Sequence, residues 1–496
     1  MELKRKQIER LEQVLTREEV LEVSTESIIP DSCSDVIRIA VSSANVIIKE
    51  KNVSADRITL GGMCAVKLLC ITEKCQNGET INVSIPLSHV ISDSLIDTDC
   101  KVIFDANVIE CNTILTNSRK VSVKVRVMLE TKICKYKNLW LTTDIPEMDN
   151  TYCLKKDFHD EYIACIEEKQ LRLVENISID TDEIEPLRWS VDFITEDVKN
   201  IKEKAMVRGN CQLRVLFINK ANGELRREKY HLPFSAVIEN SKFANVENIE
   251  VDYVCSYTDV SVNSTTAGYT LNCDIITSIC VTGKNQICEQ IAADIFNSRY
   301  ELETKWEKLN GVMKISRENI RKQISLDFEK IDNADKVFDF NYLINHRTAG
   351  RTVYVSINLY VIYKDAVGEI YGVLCKHDIE YEMPDSFFDI KVNAENLSIQ
   401  CNNNNGIHLD AELVFDVSFG NVIETEQLSS CTILKDSLKT KKGNASLVLR
   451  KVAEGETMWD IAKRYNTSPD AIAQANKIED DVHNISGRLI MIPIVK

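Results

Sequence analysis

The sequence has few residues that break regular structure: proline occurs 8 times and glycine 16 times in 496 residues. This composition argues against a disordered or collagen-like chain. Long apolar runs are also missing, because no stretch approaches the roughly 18 apolar residues that a membrane-spanning helix requires, so we expect no transmembrane segment. The first residues, MELKRKQIERLEQVL, are basic but contain no apolar run, so we expect no signal peptide there.

Positive charge is outnumbered by negative charge. The chain has 60 Lys and Arg residues against 76 Asp and Glu residues, which gives a formal net charge of -16. Such a chain repels phosphate backbones, so we expect no nucleic-acid partner. Acidic composition is common among cytoplasmic proteins, and it also suits a basic or neutral protein partner. Together with the expected lack of an export signal, it predicts a cytoplasmic location.

Cysteine is frequent, but its spacing lacks the patterns of a disulfide or metal framework. The 17 cysteines include no C-x-x-C pair, and their odd number excludes complete pairing within one chain. We therefore expect reduced thiols that are buried as small hydrophobic groups. The nearest approach to a metal pair is Cys375-Lys376-His377, which has no second pair close by in the sequence.

Sequence motifs of catalysis are missing too. There is no G-x-x-x-x-G-K-S/T phosphate loop, no G-x-S-x-G elbow and no H-E-x-x-H zinc motif. We therefore predict a protein that is not an enzyme and that binds no cofactor and no metal. A glycosidase whose two carboxylates meet only in the folded chain stays open as a third alternative.

An internal repeat occupies most of the chain. Residues 62–71 read GMCAVKLLCI and residues 85–91 read IPLSHVI, with an Asn-Gly-Glu turn between them. Both blocks recur 147 residues later, at 209–218 and 232–238, again around Asn-Gly-Glu. A weaker third copy at 355–372 keeps the Gly-Glu turn. Apolar segments joined by Asn-Gly turns are typical of β-hairpins.

Each copy continues into a run that alternates apolar and polar residues, at 121–129, 269–275 and 407–417. Alternation at period two predicts strands with one buried face. We therefore predict a mainly β fold with three repeated antiparallel β domains, each a sandwich or a similar structure, at residues 23–147, 175–290 and 331–436.

The segments between these domains have other patterns. Residues 1–22 are predicted to form a short helix, because Ile8, Leu11, Val14 and Leu15 recur at helical spacing. Residues 148–174 and 291–330 are rich in charge, and we interpret both as interdomain linkers, the second of them partly helical.

The repeated blocks resemble the SPOCS domain of bacterial spore-coat assembly proteins. Ile29-Pro30-Asp31 resembles the entry segment of that domain, and residues 62–70 and 209–217 resemble its glycine-led strand. Val361-Ile362-Tyr363 matches the end of that strand in the third copy. The resemblance implies a scaffold of spore-coat assembly rather than an enzyme.

Residues 449–496 have a different pattern, which predicts a small α/β domain of βααβ order. Thr457 and Asp460 have the spacing of a capping box at a helix start. Ser468 and Pro469 suit the start of a second helix. Apolar residues at helical spacing form the inner face of the first helix: Met458, Ile461, Ala462 and Tyr465.

This segment resembles a LysM domain through its opening VAEGET at 452–457, Asn476 and its closing GRLIMIP at 487–493. The resemblance implies binding in a groove between the loop after the first strand and the loop before the last. Carried over to this sequence, the partner-binding residues are Gly455, Glu456, Thr457, Met458, Trp459, Asn476, Lys477, Ile478, Glu479 and Asp480.

Several of these residues also fit structural roles. Gly455, Thr457 and Asn476 suit turns and helix caps better than ligand contacts. Trp459 lies beside the apolar stripe, where two interpretations stay open: a partly exposed contact residue, or a side chain that packs against the neighbouring linker or β domain.

The two resemblances together imply a function. In spore-coat proteins of this architecture, the LysM domain binds the morphogenetic ATPase SpoIVA at the forespore surface, inside the mother cell. We therefore predict a coat scaffold with SpoIVA and other coat proteins as partners. The alternative is a cell-wall or phage-tail protein that binds peptidoglycan or another N-acetylglucosamine polymer. Arg450, at a position where an aromatic residue is common, and the acidic Glu479-Asp480-Asp481 suit a protein partner at least as well as a glycan.

Overall fold

The computed structural model of the chain describes residues 2–74, 78–179, 184–265, 268–328, 334–401, 406–439, 446–478 and 485–494. Within these ranges the protein is mainly β, and its two α-helices lie near the C-terminus, which confirms the predicted fold class. No helix in the same ranges is long and apolar enough to cross a membrane.

The described strands form three successive units and a small C-terminal domain. Unit 1 contains β1 (Lys4–Ile28), β2 (Val36–Ser54), β3 (Arg57–Thr72), β4 (Glu79–Ser92), β5 (Lys101–Asn117) and β6 (Lys120–Asp144). Unit 2 contains β7 (Thr151–Ile179), β8 (Ile184–Ile201), β9 (Lys204–Asn219), β10 (Leu225–Glu239), β11 (Asn248–Thr265) and β12 (Gly268–Asn297). Unit 3 contains β13 (Tyr300–Phe328), β14 (Ala334–Ala349), β15 (Thr352–Asp365), β16 (Ile370–Glu382), β17 (Phe387–Cys401) and β18 (Ile407–Leu438).

Every unit consists of two antiparallel sheets with the same strand order. The second, third and fourth strands form a meander, β2-β3-β4, β8-β9-β10 or β14-β15-β16, which we call the inner sheet. The fifth, sixth and first strands form the outer sheet, with the sixth in the middle. The outer sheets of units 1 and 2 join into one six-stranded sheet, because β1 pairs with β7 at Leu11 and Ile163.

The core of each unit lies between its two sheets. In unit 1, Val66 and Leu68 of β3 pack with Val123 and Val125 of β6. Phe217 and Phe415 are fully buried in the cores of units 2 and 3. The runs that were predicted to alternate are therefore strands with one face in the core, as period-two patterning requires.

The predicted N-terminal helix is wrong, because Lys4–Ile28 is the strand β1 and pairs along its length with β6. From Leu21 onward its residues alternate between the inside and the outside, with Leu21 and Val23 against the core of unit 1. Helical spacing of four apolar residues is a weak local signal, and pairing with a distant strand overrides it.

The two predicted linkers are also strands. Residues 148–174 lie mostly in β7, and residues 291–330 include the end of β12 and all of β13, which is a strand and not a helix. β1, β7 and β13 are the first strands of their units, and each pairs with the sixth strand. Their charged composition reflects the exposed face of an outer sheet, so the units begin earlier than the sequence predicts.

The three inner sheets pack their outward faces against one another, and we call this contact the hub. Its apolar centre includes Leu69, Leu216 and Ile362, which occupy the same position of the repeat in units 1, 2 and 3. Buried charge surrounds this centre, because Asp339 of unit 3 pairs with Arg188 at 3.7 Å and Arg227 at 3.3 Å, both from unit 2. The hub therefore fixes the three units to each other.

Candidate binding site of the C-terminal domain

The C-terminal domain is built from β19 (Leu447–Lys451), α1 (Met458–Tyr465), α2 (Pro469–Asn476) and β20 (Leu489–Pro493). β19 and β20 pair antiparallel, with Leu449 opposite Met491. One small apolar cluster holds the domain together. Its buried members are Phe296, Val452, Ile461, Ala462, Ile472, Ile485, Ile490 and Ile492.

Local sequence explains the start of both helices. Thr457 caps α1, since its hydroxyl accepts a hydrogen bond from the Asp460 backbone N–H, and the Asp460 carboxylate accepts one from the Thr457 N–H. This confirms the predicted capping box. The same pairing holds the pKa of the Asp460 carboxyl below its usual range, because the hydroxyl and backbone of Thr457 donate to the ionised form. Ser468 caps α2, and Pro469 is its first residue, also as predicted.

Asn476, at the end of α2, is fully engaged within the domain. Its amide nitrogen donates to the carbonyl oxygens of Ile472 at 2.7 Å and Met491 at 2.6 Å, and its amide oxygen accepts from the Met491 N–H at 2.6 Å. The side chain therefore ties α2 to β20. Lys477 follows with a positive φ of 53° and ends the helix.

Glu456, in the loop before α1, is held by two arginines of the domain. Its carboxylate pairs with Arg450 at 2.9 Å and Arg464 at 2.7 Å, and only 8% of its side chain is exposed. Arg450 also lies over the ring of Tyr465, 5.8 Å from its centroid. Arg450 therefore contacts both Glu456 and Tyr465 within the domain, which accounts for a cation at a position where an aromatic residue is common.

Trp459 faces unit 2 rather than the groove. Its indole N–H donates to the Asp294 carboxylate at 2.7 Å, and its ring meets that of Phe296 edge-on with centroids 5.0 Å apart. Lys463 contacts the same carboxylate at 2.8 Å. Of the two interpretations of Trp459, the geometry matches packing against a neighbouring β domain, at the end of β12. The aspartate was missed by sequence analysis, since nothing local links two positions so far apart.

The predicted groove residues are brought together only in part. Gly455, with a φ of 76°, and Thr457 are exposed in the loop before α1. Met458 and Ile478 pack against the apolar cluster of the domain instead. Glu479 and Asp480 lie outside the described residues.

The comparisons with known proteins agree with this geometry. The LysM domain family model matches residues 451–486, so the chain contains a LysM domain. A LysM domain suggests binding of polymers that contain N-acetylglucosamine. The match covers a small part of the chain and assigns nothing to the three β units. No curated protein and no solved structure matched the chain.

Proposed function

We propose that the chain is a non-enzymatic scaffold of spore-coat assembly, similar to the clostridial SpoIVA-interacting protein. In this proposal the LysM domain binds the morphogenetic ATPase SpoIVA at the forespore surface, in the mother-cell cytoplasm. The three β units offer further surfaces to coat proteins. Linked weak sites raise the effective concentration of the scaffold where its partners assemble.

The observation that carries this proposal is that the protein itself engages side chains that the LysM resemblance assigns to partner binding. Glu456 pairs with two arginines, Asn476 forms hydrogen bonds with β20, and Trp459 packs against unit 2. A glycan needs free donors, acceptors and aromatic faces, whereas a folded protein partner can use the shape and remaining charge of a rigid domain. The engagement of these residues supports a protein partner.

The body of the molecule supports the same proposal. Its three units are joined into one body through the apolar cluster of the hub. A large repeated β body with a small domain docked on its side suits a tether that holds partners at fixed distances.

Removal of the LysM domain tests the proposal in sporulating cells. A fluorescent fusion that lacks residues 446–496 should disperse from the forespore, because the domain supplies the tether. A matched full-length fusion that carries Trp140→Ala should keep its localisation, since Trp140 is an exposed tryptophan of unit 1. Forespore localisation of the truncated fusion, with the body still folded, would contradict the proposal.

The LysM match itself favours a second candidate function, binding of peptidoglycan or another N-acetylglucosamine polymer. Both candidates can be separated by measuring the full-length protein in parallel against recombinant SpoIVA and purified peptidoglycan. Binding to SpoIVA alone supports the scaffold. Sedimentation with peptidoglycan alone, without hydrolysis, supports the glycan-binding candidate, and release of soluble sugar would instead indicate a glycosidase.

A further inference from the structure

A cavity of about 560 Å³ lies where the three units meet, beside the apolar centre of the hub. Unit 1 supplies walls from β2 and β5, unit 2 from β8 and β11, and unit 3 from β14, β15 and β16. Sites for small molecules commonly have volumes of roughly 300–1,000 Å³. The cavity is therefore of ligand size, and its walls are complete only when all three units are assembled.

The walls carry little uncompensated charge. The charged residues of the lining each have a partner within the protein: Glu110 with Arg126 at 3.2 Å, Arg188 with Asp339 at 3.7 Å, and Asp192 with Arg214. An ionic ligand would have to compete with these pairs and would lose its own hydration. The balance of charge favours a neutral ligand.

Neutral hydrogen-bonding groups dominate the remaining lining, which includes five asparagines: Asn45, Asn107, Asn112, Asn341 and Asn358. The amides of Asn107 and Asn112 donate to the carboxylates of Asp105 at 2.7 Å and Glu110 at 3.1 Å, so the proposal depends on Asn45, Asn341 and Asn358. The register of unit 3 shows how two of them are placed. Ile357 and Leu359 of β15 point into the core, so Asn358 lies on the opposite face, towards the hub, as does Asn341. An amide both donates and accepts hydrogen bonds, which is what a sugar hydroxyl requires of its partner.

An apolar patch adjoins these amides. Leu343 and Leu374 line the cavity together with Tyr360, which lies next to Asn358 on the same face of the inner sheet. The C–H face of a sugar ring packs against such aliphatic and aromatic surfaces while its hydroxyls reach the polar walls. The lining therefore combines the two kinds of contact that a neutral saccharide makes.

Two irregularities of the strands occur at the same cavity. β5 has a β-bulge between Val108 and Glu110, and β11 has one between Cys255 and Tyr257, and all four residues contribute to the lining or border it. β5 and β11 are the two edge strands of the six-stranded sheet in the described residues. The bulges lie at equivalent positions of the repeat, and bulges are frequent next to binding sites because they re-aim side chains.

We propose that this cavity binds a neutral, hydroxyl-rich small molecule, a saccharide of one to three rings. The site is distinct from the LysM groove and does not depend on which function that domain has. Its ligand would bridge all three units and so stabilise the assembled body.

Hydrogen–deuterium exchange of the full-length protein tests this proposal. The probes are N-acetylglucosamine, N,N′,N″-triacetylchitotriose, glucose and maltotriose, each added singly at millimolar concentration. We expect at least one of them to protect the wall segments 42–47, 106–113 and 188–192. If none of these sugars protects the wall segments, or if protection is confined to residues 451–478, the cavity is not a saccharide site.

Variants of the same full-length chain give the second readout. Asn358→Leu keeps a similar side-chain volume but removes one amide, so the sugar that protects the walls should bind about tenfold more weakly. Asn45→Leu, on an exposed part of β2, should weaken binding in the same direction and guards against a folding defect of the first variant. Asn138→Leu, an exposed position of β6, is the matched control and should leave the affinity unchanged. Equal affinities in all three variants would overturn the proposal.

Discussion

The β body and the LysM domain are stabilised in different ways. In the body, strands pair with partners far away in sequence, and three cores are joined by a fourth apolar cluster at the hub. The LysM domain has one cluster, and this cluster includes Phe296 from unit 2. We therefore expect the body to unfold as one cooperative structure, whereas the small domain depends on local caps and on its neighbour. A destabilising substitution in the β body should therefore affect all three units, whereas one in the LysM domain should affect that domain alone.

The largest expected effect comes from the buried charge of the hub. Asp339→Asn leaves the guanidinium groups of Arg188 and Arg227 without their anion in a buried position. Removing one partner of a buried ion pair costs about 3–5 kcal/mol. We expect the free energy of unfolding of the whole body to fall by this amount in urea titrations followed by circular dichroism.

The matched control is an exposed ion pair of the same body. Glu424→Gln removes the partner of Lys308, and both side chains are largely exposed, 60% and 66%. Such a pair contributes less than about 1 kcal/mol. If both variants lose the same free energy of unfolding, the buried ion pairs of the hub stabilise the body no more than an exposed pair does.

A core change in the LysM domain should be nearly as large but confined to the domain. Ile472 is fully buried on α2. Ile472→Ala should lower the free energy of unfolding of the domain by about 2–5 kcal/mol, which approaches the whole stability of a domain of this size. Hydrogen exchange should therefore show unfolding of residues 447–493 while the β units keep their protection.

Gln474→Ala, at an exposed position of the same helix, serves as the control and should change stability by no more than about 0.5 kcal/mol. Loss of protection throughout the β units in Ile472→Ala would show that the domain and the body unfold together. In that case the contact through Trp459 is stronger than its few polar and ring contacts indicate.

The sequence predicted the parts of the fold that depend on nearby residues. The capping box of Thr457 and Asp460 and the start of α2 at Pro469 involve residues one to three positions apart. The repeat was recognisable because Asn-Gly turns and alternating runs are also local features. The mainly β fold and the LysM domain follow from them.

The rest depends on contacts between distant residues. The strand β1 was mistaken for a helix because its partner, β6, begins more than 90 residues after β1 ends. The charged segment β13 is a strand because it pairs with β18, which is the strand that carries the alternation of apolar and polar residues. The role of Trp459 depends on Asp294, in another unit. No local pattern in the sequence carries these pairings, so they become visible only in the fold.

The interface between units 2 and 3 should respond to pH. Glu250 of unit 2 lies among Lys284 at 2.9 Å and, from unit 3, Arg317 at 3.1 Å and Lys391 at 3.5 Å. Burial raises the pKa of its carboxyl, but the hydrogen bond and charge of Lys284, together with the other two cations, outweigh it and lower the pKa from 4.5 to about 2.

A lowered pKa means that Glu250 stabilises the folded state above about pH 4.5 and that this contribution is lost as the pH falls towards 2. The full contribution is about 3 kcal/mol. Glu250→Gln should remove it at neutral pH and flatten the dependence of stability on pH between these values. An unchanged pH profile in Glu250→Gln would assign the acid sensitivity to other carboxyls.

The smallest expected effect concerns the joint between the two regions. Asp294→Ala removes the acceptor of the Trp459 N–H and the partner of Lys463, which together contribute about 1–2 kcal/mol. We expect the LysM domain to stay folded but to separate from β12, which spin labels on α2 and on β12 would report as a broader distance distribution. Asp294→Asn keeps an acceptor for the indole and should separate less. A narrow distribution in Asp294→Ala would mean that the remaining contacts, among them the ring contact with Phe296 and the hydrogen bond from Lys439 to Asn466, hold the domain in place. The LysM domain would then be as firmly part of the body as the units are of each other.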